Sequence, residues 1–172
     1  MGPRPPVISF IGRSGSGKTT LIEKLSALFT AGGMRVAVIK HMRHEFDFDS
    51  PGKDTYRYRE AGAYLSCITN GTSIGITAET GDIDLIEAAP GLFSMADLVI
   101  IEGYKLGPFP KIEVIGGSTQ SPLWESGEFD VTAIVCDNPV AAGVPRFRRD
   151  DIESISAFVM KTLWPGGRPV NP

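Results

Sequence analysis

The run Gly12-Arg13-Ser14-Gly15-Ser16-Gly17-Lys18-Thr19, followed by Thr20, meets every fixed position of the pattern G-x-x-x-x-G-K-[ST]. Glycines let a turn wrap a polyphosphate closely enough for successive backbone N–H groups to point inward as a nest. The helix that follows presents its N-terminus to the same negative charge. In this chemistry Lys18 reaches the β- and γ-phosphates and the Thr19 hydroxyl ligates Mg²⁺. A ligand-free glycine-rich turn is the competing explanation, and composition alone produces the pattern by chance in about one chain in a hundred of this length. The glycines at 12, 15 and 17 do not supply G-x-G-x-x-G, which excludes the dinucleotide fingerprint.

A phosphate loop of this kind needs an acid at the carboxyl end of a neighbouring buried strand to hold or orient the hydrated metal. "DLVIIEGY" offers Asp97 and Glu102, at opposite ends of one apolar run and roughly 16 Å apart at strand rise. Ligands gather at the carboxyl ends of parallel strands, which selects Glu102 over Asp97. The polar stretch 41–53 carries His41, His44, Asp47, Asp49 and Lys53. Asp49 is the candidate there for orienting an attacking water, with an ordinary polar surface loop as the alternative. Zinc is disfavoured, because the two histidines are the only ones in the chain and a site needs three or four protein ligands. The clusters Lys53/Arg57/Arg59 and Arg146/Arg148/Arg149, and the tyrosines 56, 58 and 64, fit solvated or packing roles better than second binding sites.

These residues need elements to hold them. "VISFI" (7–11) is a buried strand, and Leu21, Ile22, Leu25, Leu28 and Phe29 recur at helical spacing between Gly17 and Thr30. "RVAVIK" (35–40) is a second strand, giving a strand–turn–helix–strand unit with the two strands expected to pair in parallel. A short helix is predicted over 54–63. "YLSCIT" and "TSIGIT" flank Asn70-Gly71, which suits a type I′ hairpin and makes part of the sheet antiparallel. A weak helix candidate at 82–94 is followed by strands at "DLVII", "KIEVIG" and "TAIVC". The last helix, 151–163, is expected to be capped by Asp150 with Glu153 completing a capping box. The sum is an α/β, P-loop NTPase-like three-layer fold, its sheet mostly parallel with an antiparallel hairpin portion.

At 172 residues the chain fits one nucleotide-binding domain over 1–172, with flexible ends expected at 1–5 and 165–172, where Pro and Gly crowd. A net charge of −3 gives no basic face to displace counterions, so nucleic-acid binding is disfavoured. No apolar stretch is long enough to span a bilayer and no secretory segment is visible, so a cytoplasmic protein without membrane contact is expected. Cys67 and Cys136 both lie in apolar strand-like runs and are expected to be small buried thiols without a disulfide.

With the phosphate loop, "VIKHMRHEFDFDSPGKDTYRYREAGA" and "DLVIIEGYKLGPFPKIEV" taken together, the chain resembles the molybdopterin-guanine dinucleotide biosynthesis adapter family, the MobB proteins, over about residues 6–140. The resemblance implies a GTP-binding α/β protein with weak hydrolysis, a homodimer, and a role beside the guanylyltransferase that attaches GMP to molybdenum cofactor. It places the nucleotide turn at Gly12–Thr20, Glu102 at the metal-side acid position, and Asp49, Lys53 and Asp54 in the matching loop, with molybdopterin itself a possible ligand. No N-K-x-D tetrapeptide occurs, and Asp137 in "IVCDN" is the candidate acceptor for guanine N1 and N2. Arg13 or the 146–149 cluster is the candidate arginine finger across a dimer. The alternatives are a small-metabolite kinase using ATP, and a scaffold that retains nucleotide without hydrolysing it.

Overall fold

A computed structural model describes residues 4–42, 49–78, 86, 90–117, 121–139 and 143–168. The chain forms two compact units, one made of Met1–His41 with Gly91–Pro172 and the other of Met42–Pro90. The first unit contains strands β1 (Val7–Ile11), β2 (Val36–Lys40), β5 (Leu98–Glu102), β6 (Lys111–Val114), β7 (Ala133–Val135) and β8 (Arg146–Phe147), together with helices α1 (Lys18–Ala31) and α3 (Ile152–Leu163). The second contains α2 (Asp54–Glu60) and strands β3 (Leu65–Thr69) and β4 (Ile74–Ala78).

The six strands of the first unit run in the order β2-β5-β1-β6-β7-β8, all parallel. Such a sheet is buried on both faces, which is why its central strands are near-continuous apolar runs. Alternate residues divide between two cores. Ile8 and Phe10, Leu98 and Ile100, Ile112 and Val114, and Ala133 and Val135 meet Leu21, Ile22, Leu25 and Phe29 of α1 and Ile155 and Val159 of α3. Burying each large side chain there contributes about 1.5–3 kcal/mol. Residues one step out of phase, Ile134 and Cys136, pack with Ile115, Trp124, Val131 and Val144 on the other face.

The expected pairing of β1 with β2 does not form, because β5 lies between them, hydrogen-bonded to both. β5 is the more apolar strand, buried from Leu98 to Ile101, whereas β2 exposes Val38 and ends in Lys40, a composition suited to an edge. The antiparallel pair is also not part of this sheet. β3 and β4 form a two-stranded sheet of their own in the second unit, with Thr69 opposite Ile74 and a loop at 70–73. That loop is not the expected type I′ turn. Gly71 has φ +88°, but Asn70 does not adopt positive φ. Instead the Asn70 side-chain oxygen accepts from the Thr72 and Ser73 amides at 3.0 and 2.8 Å, so it closes the loop as an Asx turn. Cys67, expected to be buried, is exposed on β3, while Cys136 is buried. Burial pushes the Cys136 thiol up, opposed by Arg146 beside it. Of the candidate helix at 82–94, only residue 86 and a single turn at Pro90–Phe93 fall among the described residues.

The last helix is capped one residue later than its sequence suggests. Asp151, not Asp150, accepts the Ser154 amide at 3.2 Å, and the Asp150 carboxylate turns to Arg148 at 3.2 Å. Asp97, set aside as a metal-side acid, anchors the opposite end of β5. It accepts the Arg35 amide at 2.7 Å and pairs with Arg168 at 3.4 Å, which ties down part of the C-terminal stretch expected to be flexible.

Asp151→Ala should lower unfolding stability by about 1 kcal/mol in urea titrations, and more than Asp150→Ala does. The Arg35 amide, reinforced by Arg168 and Arg35 and opposed by partial burial, holds Asp97 below its ordinary 3.8. Its stabilisation is therefore complete above that value and lost as pH falls through the lower folded one. The urea midpoints of wild type and Asp97→Asn should differ near neutrality and converge in acid.

Candidate nucleotide site

β1 delivers the chain to Gly12 at the carboxyl edge of the sheet, and the loop closes into α1 within six residues. Gly12 has φ +150°, and a Cβ there would stand 2.3 Å from the Val114 carbonyl oxygen and 2.8 Å from Ser16 Oγ. No side chain fits between β1 and β6 at this point. Ser16 is fully buried, and its amide bonds the Arg13 carbonyl at 3.3 Å to fold the loop. Gly17, with φ +93°, is the N-cap of α1 and provides no side-chain cap. The first turn of the helix also lacks acidic residues, so its amides carry partial positive charge with no carboxylate of their own turn to offset it.

Lys18 Nζ lies inside the loop, donating to the carbonyls of Gly12 at 3.2 Å and Arg13 at 2.8 Å and to Ser16 Oγ at 3.4 Å. Burial pulls its pKa below the ordinary 10.5; Glu102 opposes that, and Lys105 and Lys40 add to it. Thr19 Oγ1 donates to both Glu102 oxygens, at 3.1 and 3.0 Å. Parallel pairing of β1 with β5 makes this contact, since it sets Phe10 opposite Glu102 and so brings the strand-end acid beside the loop. Asp97, at the far end of the same strand, has no part in it. Gly103 follows with φ +94°, where a Cβ would meet the His41 carbonyl at 2.9 Å, and Tyr104 stacks on the His41 ring at 4.6 Å between centroids.

The other expected residues are placed as follows. Ser14 and Gly15 are exposed on the loop and Thr20 on the first turn of α1. Arg13 Nε donates to the Ser121 carbonyl at 2.9 Å. Asp137 accepts the Arg149 amide at 3.1 Å and pairs with Arg149 Nε at 3.2 Å. Asp49 lies in the second unit, where it accepts from Thr55 Oγ1 at 2.7 Å and pairs with Arg59 at 3.1 Å. His44 and Asp47 lie outside the described residues.

One participant escaped the sequence reading, and another was named only as a member of a cluster. Glu113 is almost fully buried in β6 and accepts the Leu123 and Trp124 amides at 2.6 and 3.0 Å, fixing the segment beside the loop. Its signal was available, as a lone acid inside "KIEVI". Arg149 belongs to a basic run whose members look alike in sequence.

A parallel sheet with a glycine-rich turn at its carboxyl edge, a lysine inside the turn and a threonine–glutamate contact beside it defines an α/β P-loop protein. The family model of molybdopterin guanine dinucleotide synthesis protein B matches residues 7–137. The chain belongs to that family. It is 34% identical over 163 residues to the Escherichia coli (strain K12) molybdopterin-guanine dinucleotide biosynthesis adapter protein, covering 92% of this chain and 93% of that one. The Haemophilus influenzae protein of the same name is 37% identical over 165 residues, covering 95% of this chain and 92% of that one. Among solved structures, a molybdopterin-guanine biosynthesis protein B superposes with a TM-score of 0.72 at 28% identity, over 91% of this chain and 99% of that one. A Bacillus subtilis MobB structure shares the fold with a TM-score of 0.71 at 24% identity, over 92% and 98%.

Gly12→Ala forces the loop away from the Val114 carbonyl. It should cost roughly 1–3 kcal/mol in chemical denaturation and remove purine triphosphate binding measured by calorimetry on the folded variant.

Proposed function

We propose that this protein is a cytoplasmic GTP-binding adapter with weak GTPase activity, assisting the guanylyltransferase that attaches GMP to molybdopterin. The observation that carries the reading is the Thr19–Glu102 contact beside the loop, which joins the hydroxyl and the acid that a triphosphate-bound Mg²⁺ requires. Both are hard oxygen donors on neighbouring elements, a donor set suited to Mg²⁺, which takes few protein ligands and fills the rest with phosphate and water. Thr19 and Glu102 would hold the ion, which when bound neutralises charge on the β- and γ-phosphates. The loop amides from Arg13 to Thr20 bind the phosphates. Lys18, whose pKa burial pulls below its ordinary value, moves from its own carbonyls to the β- and γ-oxygens.

Asp49 orients the attacking water in this proposal, and Asp137 accepts from the guanine edge. The relatives' name as adapter proteins supports an accessory role, in which nucleotide state alters the hold on a partner. We take both units as parts of one nucleotide-binding domain that acts as a homodimer and meets the guanylyltransferase, with molybdopterin as a further ligand. No helix among the described residues is long and apolar enough to cross a membrane.

Titrating the purified chain with GTP and ATP, each with and without Mg²⁺, tests the proposal. GTP should bind more tightly, and Mg²⁺ should strengthen it. Lys18→Ala should abolish binding, whereas Glu102→Gln should retain metal-free binding and lose most of the Mg²⁺-dependent gain. Preference for ATP, together with a phosphorylated small-molecule product, would identify a kinase instead.

A further inference from the structure

Of the arginines in the loop and in the run at 146–149, three are turned to other tasks. Arg13 bonds the Ser121 carbonyl, Arg146 the carbonyls of Cys136 and Asn138, and Arg148 the exposed Asp150. Arg149 differs. A Cβ built on Gly17 would lie 3.4 Å from Arg149 Nη1, so the guanidinium borders the phosphate loop at the residue that caps α1.

The side chain is bracketed from three directions. Its backbone amide donates to Asp137 Oδ1 at the end of β7, its buried Nε lies 3.2 Å from Asp137 Oδ2 in an ion pair without hydrogen-bond geometry, and Nη2 donates to the Ile115 carbonyl beyond β6 at 3.2 Å. A guanidinium has five N–H donors, and these contacts leave Nε and Nη1 without a hydrogen-bond acceptor among the described residues. Nη1 stands beside the amides of the helix N-terminus, where two parallel N–H bonds match a phosphate. The side chain is two-thirds buried, so little rotamer freedom remains to be lost when an anion arrives.

We propose that Arg149 is a phosphate-contacting residue supplied from within the same chain, and that Asp137 is its positioning residue. The inference rests on the reading of the loop as a triphosphate site and extends it. The Asp137 carboxylate, proposed above to face the guanine edge, then holds the guanidinium on the phosphates, so recognition of the base and grip on the phosphates share one ion pair. The cation lies beside the helix cap and serves binding of the phosphate chain.

The test compares wild type, Arg149→Gln, Arg149→Lys, Asp137→Asn and the double variant in binding GTP·Mg²⁺, alongside displacement of GTP by inorganic tripolyphosphate. Arg149→Gln should weaken GTP about tenfold or more, the scale of one charge-assisted hydrogen bond, and weaken tripolyphosphate by a similar factor. Arg149→Lys should recover part of the loss. Asp137→Asn should weaken tripolyphosphate less than Arg149→Gln does, and adding it to Arg149→Gln should change tripolyphosphate displacement no further. Thermal melts confirm that each variant is folded. GTP affinity of Arg149→Gln within about twofold of wild type would overturn the proposal, as would a loss on GTP that spares tripolyphosphate. Wild-type protein that ignores every purine triphosphate would overturn the proposed function instead, which separates the two failures.

Discussion

The site depends on the absence of one carbon atom. β1 and β6 run side by side, and the Val114 carbonyl of β6 occupies the space a side chain at residue 12 would need. With glycine there, the chain leaves β1 at φ +150° and turns across the carboxyl edge of the sheet rather than continuing past it. Everything that follows is indexed from that turn: the buried Ser16, the uncapped start of α1, and the inward Lys18. The sheet supplies the rigidity. Ile8, Phe10, Ile100, Ile112 and Val114 are fully buried around the turn, so the backbone beneath it cannot yield without opening the core.

The same register explains the electrostatics. Parallel pairing sets the last residue of β5 beside the loop, and the acid there meets a threonine rather than the lysine. Lys18 is consequently pulled in two directions, with desolvation opposing its charge and Glu102 supporting it, while Lys40 and Lys105 add to the side of desolvation. An ammonium so balanced donates to backbone carbonyls, contacts that can be exchanged for phosphate oxygens without breaking a strong ion pair. A direct Lys18–Glu102 bridge would have held the cation more tightly and made it less available to a ligand.

What the sequence disclosed follows from the range of each signal. The loop motif, the apolar period of α1 and the buried runs of β1 and β5 are local, and each lies within a residue or two of its expected position. The place of Glu102 at the carboxyl end of β5, beside Thr19, was legible because it needs only strand direction. Strand order is not local: nothing in "RVAVIK" states that a strand some sixty residues later will insert beside it. The hairpin loop and the last cap were misplaced for a related reason. Asn70 uses its side chain where its backbone was expected to turn, and Asp150 and Asp151 are adjacent and alike until Arg148 claims one of them. Arg149 was hidden among neighbours of the same charge, distinguished only by the β7 and β6 ends that meet around it.

Asp49 shows the same reliance on fixed side chains within the second unit. Its carboxylate is already fixed by the Thr55 hydroxyl and by Arg59, on a side chain that is mostly buried. A carboxylate bonded through both of its oxygens is held in one orientation. Phosphoryl transfer relies on positioning and charge stabilisation more than on a strong base. In the first unit the loop and the sheet beneath it supply positioning of that kind, with Gly12 setting the turn and Lys18 and the Thr19–Glu102 contact held beside it.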